Sequence, residues 1–312
     1  MDKCSVLAYH RIEKEKRDSC RMGNVLLRGE FERQAAYLKK NFTILSLGDF
    51  LLHLEKNKDF PSRSVLLTFD DGQADFYQNA FPILKSYKIP AAVFLATRFI
   101  GTGERFWWDE LMCYLSETGL NKFKFRGRYF DLEHKIRVFN ELVPVMQRCT
   151  LLQLRSALDE IKGILEVRSI KEGHLSLGWS EIKEMSREGI SFGAHTHSHI
   201  NLAKTPYEEA RKEILLSKDI IQDRLKEKIE SFAYPYGGIN DFDGSHGKIL
   251  KESGFKIAFT AVSGRITKNS DFFRLGRINI SGIDNFLVFK SKVRGTNRII
   301  LKAISILSNG YN

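Results

Sequence analysis

"VLLTFDDG", residues 65–72, sets an apolar run, interrupted only by Thr68, against two adjacent carboxylates and a glycine. Such a run, bounded by a turn, reads as a strand buried on both faces, the kind found in parallel sheets. Asp70 and Asp71 then sit where the strand ends. Strict alternation would send neighbours to opposite faces, but Gly72 permits a turn that brings both into one cleft. The competing reading is a helix cap, with either aspartate closing a helix that starts near Asp75.

Similar runs recur along the chain: Ser5 to Tyr9, Phe42 to Leu45, Ala91 to Leu95, Ile190 to Gly193, Ser231 to Tyr234, Lys256 to Thr260 and Arg277 to Ile280. With Val65 to Phe69 they make about eight short strands. Helical periodicity separates most of them, in "FERQAAYLKKN", "LGDFLLHLEKN", "FYQNAFPILKSYKI" and "PYEEARKEILLSKDIIQDRLKEK". In the last, Pro206 suits a first helical turn with Thr205 as its N-cap. Strand and helix in alternation predict an α/β fold with a parallel sheet covered by helices. No Gly-x-Gly-x-x-Gly or Walker loop follows a strand, so a barrel is favoured over a nucleotide-binding sheet. In a barrel the C-terminal strand ends carry the chemistry.

Almost a hundred residues separate "AAVFLAT" from "ISFGAH", too many for one crossover. An insertion subdomain is expected at about 102–178, within a single unit spanning 1–312. It holds an aromatic cluster, "RFWWDEL", a hairpin, "KFKFRGRYFDL", turning near Gly127, and helices around 134–146 and 151–165. It packs a small core of its own or serves as a substrate-gripping lid, the former being favoured.

Composition is that of an ordinary globular chain, 43% apolar and 28% charged, which argues against disorder. The net charge of +11 suggests an acidic partner, but the cations are scattered and match no nucleic-acid motif, so no nucleic-acid partner is expected. Cys4, Cys20, Cys113 and Cys149 lie too far apart and too irregularly for a zinc or redox pair. The first twenty residues carry only a short apolar stretch before charge resumes, so a cytoplasmic location is expected. The apolar "NRIILKAISILSN" (297–309) is too short to span a bilayer and reads as a last docking helix, compatible with peripheral attachment to the inner membrane face.

"ISFGAHTHSHINL" supplies His195, His197 and His199 after another strand. His195 and His199, four apart, would share one face of a helical turn, with His197 pointing away. Two imidazoles and a carboxylate bind a divalent metal and leave positions open, the pattern of a catalytic site. Of two carboxylates, one then binds the metal while the other takes a proton from water. "SFAYPYGGIN" ends a third strand in a rigid turn whose N–H groups could hold an oxyanion, and "VLAYHRI" places His10 as a candidate general acid.

Together "TFDDG" (68–72), "HTHSH" (195–199) and "AYPYG" (233–237) resemble the polysaccharide deacetylases of the NodB-homology type, carbohydrate esterase family four. The resemblance implies a distorted (β/α) barrel and a divalent metal, usually zinc, on Asp71, His195 and His199. It further implies Asp70 as base and the Tyr236 N–H on the oxyanion. Family members commonly begin the third motif with an arginine that orients the base. Here that position is Ala233, and Arg277 or Arg274 is the expected replacement. The acid histidine fits "SVLAYHRI", as in circularly permuted members, which assigns the role to His10. Trp179 recurs in such members before the histidine strand, where it shapes the groove or packs.

The expected activity is hydrolysis of the N-acetyl group from an amino sugar in a glycan or a lipid-linked glycan precursor. The same motifs would serve a deformylase or another amidase, since they fix the chemistry better than what flanks the amide. A glycan-binding barrel without turnover is the third reading, prompted by the missing motif arginine.

Overall fold

The structure is a computed structural model, and it describes residues 3–15, 24–170 and 175–296. The elements run β1 (Ser5–Tyr9), β2 (Arg11–Glu13), β3 (Val25–Leu27), α1 (Arg28–Asn41), β4 (Thr43–Ile44), α2 (Leu47–Glu55), β5 (Ser64–Phe69), α3 (Phe81–Tyr87) and β6 (Ala91–Leu95). The insertion follows as α4 (Trp107–Glu117), β7 (Lys122–Phe125), β8 (Arg128–Asp131), α5 (Lys135–Met146) and α6 (Leu151–Ile164). The chain then returns through α7 (Trp179–Arg187), β9 (Ile190–Ala194), α8 (Tyr207–Leu225), β10 (Ser231–Ala233), α9 (Gly244–Glu252), β11 (Ile257–Phe259), β12 (Ile278–Asn279) and α10 (Phe286–Arg294).

Seven strands pair in parallel in the order β11, β10, β9, β6, β5, β1, β12, and β4 joins β5 at its start. The sheet curls into a distorted barrel, and a parallel bridge between Phe259 and Leu275 draws the segment before β12 toward β11. All eight expected strands are present. Every residue of β1, β5 and β6 is buried, because helices cover the outer face and side chains fill the inner one.

Alternation decides which residue looks where. Leu7, Tyr9, Val65, Leu67, Phe69, Val93 and Leu95 join the core under the helices, whereas Val6, Leu66, Ala92, Phe94 and Phe259 pack together in the second core, on the inner face. Continuing that inner series from Leu66 leads to Thr68 and then Asp70, which is why the first aspartate points into the barrel mouth.

The insertion packs a core of its own, with Leu111, Phe123, Phe139, Leu158 and Ile161 among its buried members. Its hairpin, β7 with β8, turns at Arg126 and Gly127 as expected. The segment returning before α7 is tied to the motif turn: Leu177 N–H donates to Gly72 O at 2.9 Å and Ala74 N–H donates to Leu175 O at 2.9 Å.

Three local expectations are corrected. Pro206 is itself the N-cap of α8, with extended ψ, and Thr205 spends its hydroxyl on Asn201 O at 2.8 Å. The periodic stretch 76–89 breaks into a π turn, Phe76–Ala80, and α3, since Pro82 has no N–H to continue the ladder. Asp75, not Asp70 or Asp71, occupies the cap position before that turn, and it accepts from Ile12 N–H.

Cys4, Cys113 and Cys149 are free thiols, and burial pushes the Cys4 thiol up to about 12. Cys20 and the expected helix at 297–309 lie outside the described residues. Among the described residues no helix is long and apolar enough to cross a membrane.

Candidate active site

The strand-end turn is built on two left-handed residues in succession, Asp71 at φ 76 and Gly72 at φ 75. Gly72 is required twice over, because a Cβ there would lie 2.8 Å from Leu95 Cδ2. Asp71 is a non-glycine residue in that region, a strained arrangement held by the surrounding structure. The result resolves the like-charge problem: the two carboxylates share a cavity but face different partners.

Asp70, 4% exposed, receives a fork from Arg277. Nη1 donates to Oδ1 at 2.7 Å and Nη2 to Oδ2 at 2.7 Å, while Nη1 also reaches Thr68 Oγ1 at 3.3 Å. Arg277 Nε donates to Thr260 O at 2.9 Å, so the guanidinium is fixed along both edges. Burial alone would raise the Asp70 pKa, but the Arg277 charge prevails and holds it below the ordinary carboxylate range. Arg274, the other expected replacement, instead lies over the Phe242 ring at 5.7 Å. Ala233 contributes its carbonyl, which accepts from His195 Nδ1 at 2.7 Å.

That bond fixes the His195 tautomer and leaves Nε2 free to face Asp71 Oδ1 at 3.5 Å. His199 Nε2 faces the same oxygen at 3.3 Å. The ligand atoms of Asp71, His195 and His199 lie within 4.8 Å of one another. Among the described residues Asp71 Oδ1 finds no hydrogen-bond partner, and it is buried. Burial would raise the Asp71 pKa, yet the two facing imidazoles hold it well below the usual range. Burial opposes the charged form of both histidines; Asp71 and Asp70 outweigh it at His195, which is raised, and burial prevails at His199, which is lowered. Two imidazole nitrogens and a desolvated carboxylate oxygen, converging with no other partner among the described residues, fit a divalent cation.

The histidines do not lie on a helical turn. They occupy the loop after β9, where Thr196 at φ 60 and His199 at φ 54 fold the chain back so that both rings reach Asp71. His197 points away as expected, its Nδ1 meeting Thr97 Oγ1 at 3.0 Å.

A cavity of about 390 Å³ opens over these groups, lined by His10, Asp70, Asp71, His195, His199 and Tyr236, with insertion residues along one wall. His10 Nε2 stands 4.0 Å from Asp70 Oδ2, and its side chain is 30% exposed, enough to meet a ligand. Tyr236 sits at φ 60 after β10, and its N–H donates to no acceptor among the described residues.

The sequence did not foretell how deeply the insertion enters the site. Trp107 Nε1 donates to Tyr236 Oη at 3.0 Å, and the Trp108 ring meets His199 edge-on at 4.9 Å. Tyr236 also meets the His199 ring, edge-on at 5.0 Å. Phe139, Asn140, Val143 and Gln147 of the insertion complete the wall. The insertion thus has its own core and also shapes the cavity; "RFWWDEL" was the signal, but nothing local told which side of the aromatic pair would face the histidines. Trp179 packs beneath Arg224, whose guanidinium lies 5.5 Å from its ring, and does not line this cavity.

Comparison with known proteins agrees with this geometry. The polysaccharide deacetylase family model matches residues 57–258. A poly-beta-1,6-N-acetyl-D-glucosamine N-deacetylase of Staphylococcus aureus is 28% identical over 262 residues, covering 81% of this chain and 66% of that protein. A protein of the same description from Staphylococcus epidermidis is 27% identical and covers 90% of this chain and 80% of its own. The chain therefore spans about two thirds of the Staphylococcus aureus relative's length. Among solved structures, IcaB from Ammonifex degensii superposes with a TM-score of 0.62 at 21% identity, covering 95% of this chain and 98% of that one. The Streptococcus pyogenes deacetylase PplD in complex with acetate does so with a TM-score of 0.62 at 21% identity, covering 90% and 93%. With the fold shared and a family model matching well over half of its length, this chain belongs to the polysaccharide deacetylase family.

Proposed function

We propose that the protein hydrolyses the N-acetyl group of an amino sugar within a glycan, poly-N-acetylglucosamine being the nearest substrate class by its relatives. The observation that carries this reading is the division of two adjacent buried carboxylates: Asp70 forked by Arg277, Asp71 facing His195 and His199. Asp71, His195 and His199 would hold a divalent metal, zinc by their donor set, which when bound supplies Lewis-acid polarisation of the amide and acidifies water.

The chain's own groups do the rest. Asp70, kept ionised by Arg277, takes the proton of the attacking water, and the Arg277 fork aims its oxygens. Tyr236 N–H donates to the carbonyl oxygen as it gains charge. The carbon–nitrogen bond breaks, His10 passes a proton to the departing nitrogen, and acetate and the free amine leave. The aromatic wall from Trp107, Trp108 and Phe139 suits the apolar face of a sugar ring, with Asn140 and Gln147 positioned for its hydroxyls.

Acetate release from poly-N-acetylglucosamine, measured on the metal-loaded protein and again after chelation, tests the reading. Release that stops on chelation and returns with zinc is expected. Formate release from N-formylated sugars with no acetate release would overturn the acyl assignment.

A further inference from the structure

At the end of the barrel opposite the aspartates, where β1 and β5 begin and α1 and α10 end, lies an open cleft of about 700 Å³. Lys3, Arg63, Arg265 and Arg294 line it together with Asn41 and Ser62, and among the described residues no acidic side chain does. Surfaces ordinarily intersperse the two signs. Four cations around one concavity therefore need an explanation.

Local roles account for part of it. Arg265 Nη2 donates to Val293 O in the last turn of α10, and Arg294 lies over the Tyr37 ring at 5.7 Å. A cation at a helix C-terminus is favoured by the helix dipole. That role leaves Arg265 Nε buried without a partner among the described residues. Gly295 is the left-handed C-cap of α10, and a Cβ there would lie 2.5 Å from Arg265 Cζ, so the glycine also lets the guanidinium pack against the helix end. Burial lowers the Arg265 pKa, a penalty that an incoming anion would offset. Arg63 is exposed and holds φ 55 at the cleft, an uncommon conformation for a non-glycine residue.

We propose that this cleft is an anion site that takes a phosphate group. Guanidinium forks match phosphate oxygens two at a time, and Lys3 adds a point charge. Asn41 and Ser62 offer neutral hydrogen bonds at the rim. The net charge of +11 concentrates such anions near the surface. Inorganic phosphate and the phosphodiester of an anionic lipid headgroup present the same oxygens to this cleft. The site is remote from Asp70, so this inference stands apart from the proposed reaction.

The metal-loaded full chain is titrated with inorganic phosphate at constant ionic strength in a calorimeter, and sedimented with vesicles of phosphatidylglycerol or of phosphatidylcholine. Arg63→Gln and Arg294→Gln remove exposed charges, and Arg265→Lys keeps a donor for Val293 O. Each is expected to weaken binding about tenfold, the loss of one charge-assisted contact, while acetate release is unchanged. A loss confined to inorganic phosphate supports a soluble phosphate as ligand, and a loss confined to phosphatidylglycerol vesicles supports a headgroup. Binding of neither probe overturns the proposal, as does binding that all three variants leave intact, since the anion would then sit elsewhere.

Discussion

Arg277→Met is the substitution whose consequence the structure specifies best. Arg277 is 1% exposed and Asp70 is 4% exposed, and each carboxylate oxygen receives one guanidinium nitrogen at 2.7 Å. Removing one partner of a buried, hydrogen-bonded ion pair costs about 3–5 kcal/mol, because the other charge stays behind unpaired. The variant should therefore unfold at a markedly lower urea concentration. Activity should fall at least about 100-fold, the lower end of what a positioned general base contributes. Asp70→Asn on the same background removes the orphaned charge. The double variant should regain much of the lost stability, with a coupling of about 2 kcal/mol or more, yet show no turnover. Urea unfolding and acetate release on the four proteins of the cycle give both quantities. Additive stability losses, or an Arg277→Met protein with wild-type turnover, would refute the claim that Arg277 holds the base.

Gly72→Ala forces a Cβ against Leu95 and Ile100 in a left-handed turn, so it should cost about 2 kcal/mol or more by urea unfolding. Trp107→Phe deletes the donor to Tyr236 Oη while keeping the ring's bulk; kcat/KM should fall about five- to tenfold, with a melting temperature close to wild type. Burial pushes the Asp75 carboxyl up to about 7 although Arg11 opposes the shift. A raised carboxyl pKa means the folded state binds the proton more tightly, so this group's contribution is full below the unfolded value near 4 and is lost as pH rises through about 7. Asp75→Asn retains an acceptor for Ile12 N–H and should flatten the stability profile between pH 4 and 8, by a few kcal/mol on the order of the shift. An unchanged slope in urea unfolding across that range would contradict the assignment.

The barrel was legible because its strands are short, apolar and bounded by turn residues, and β5 needed nothing beyond "VLLTF" to be placed. The Asp71, His195 and His199 cluster was legible as residue types but not as conformation: "HTHSH" does not announce the left-handed Thr196 and His199 that fold it back on Asp71. Arg277 could be named because Ala233 left a charge to be accounted for, while its 207-residue separation from Asp70 could not be read from either segment. The short pair β2 and β3 went unseen, since three-residue strands carry too little pattern. Trp107 and Trp108 were noticed as a cluster, but their contacts with Tyr236 and His199 depend on how a second core docks.

Metal stoichiometry alongside acetate release in Asp70→Asn and Asp71→Asn tests the division between the two neighbours most directly. If Asp70 is the base and Asp71 the ligand, Asp70→Asn retains about one metal per chain and loses turnover, whereas Asp71→Asn loses both. Loss of metal from Asp70→Asn with retention in Asp71→Asn, or turnover by Asp70→Asn, would contradict the account.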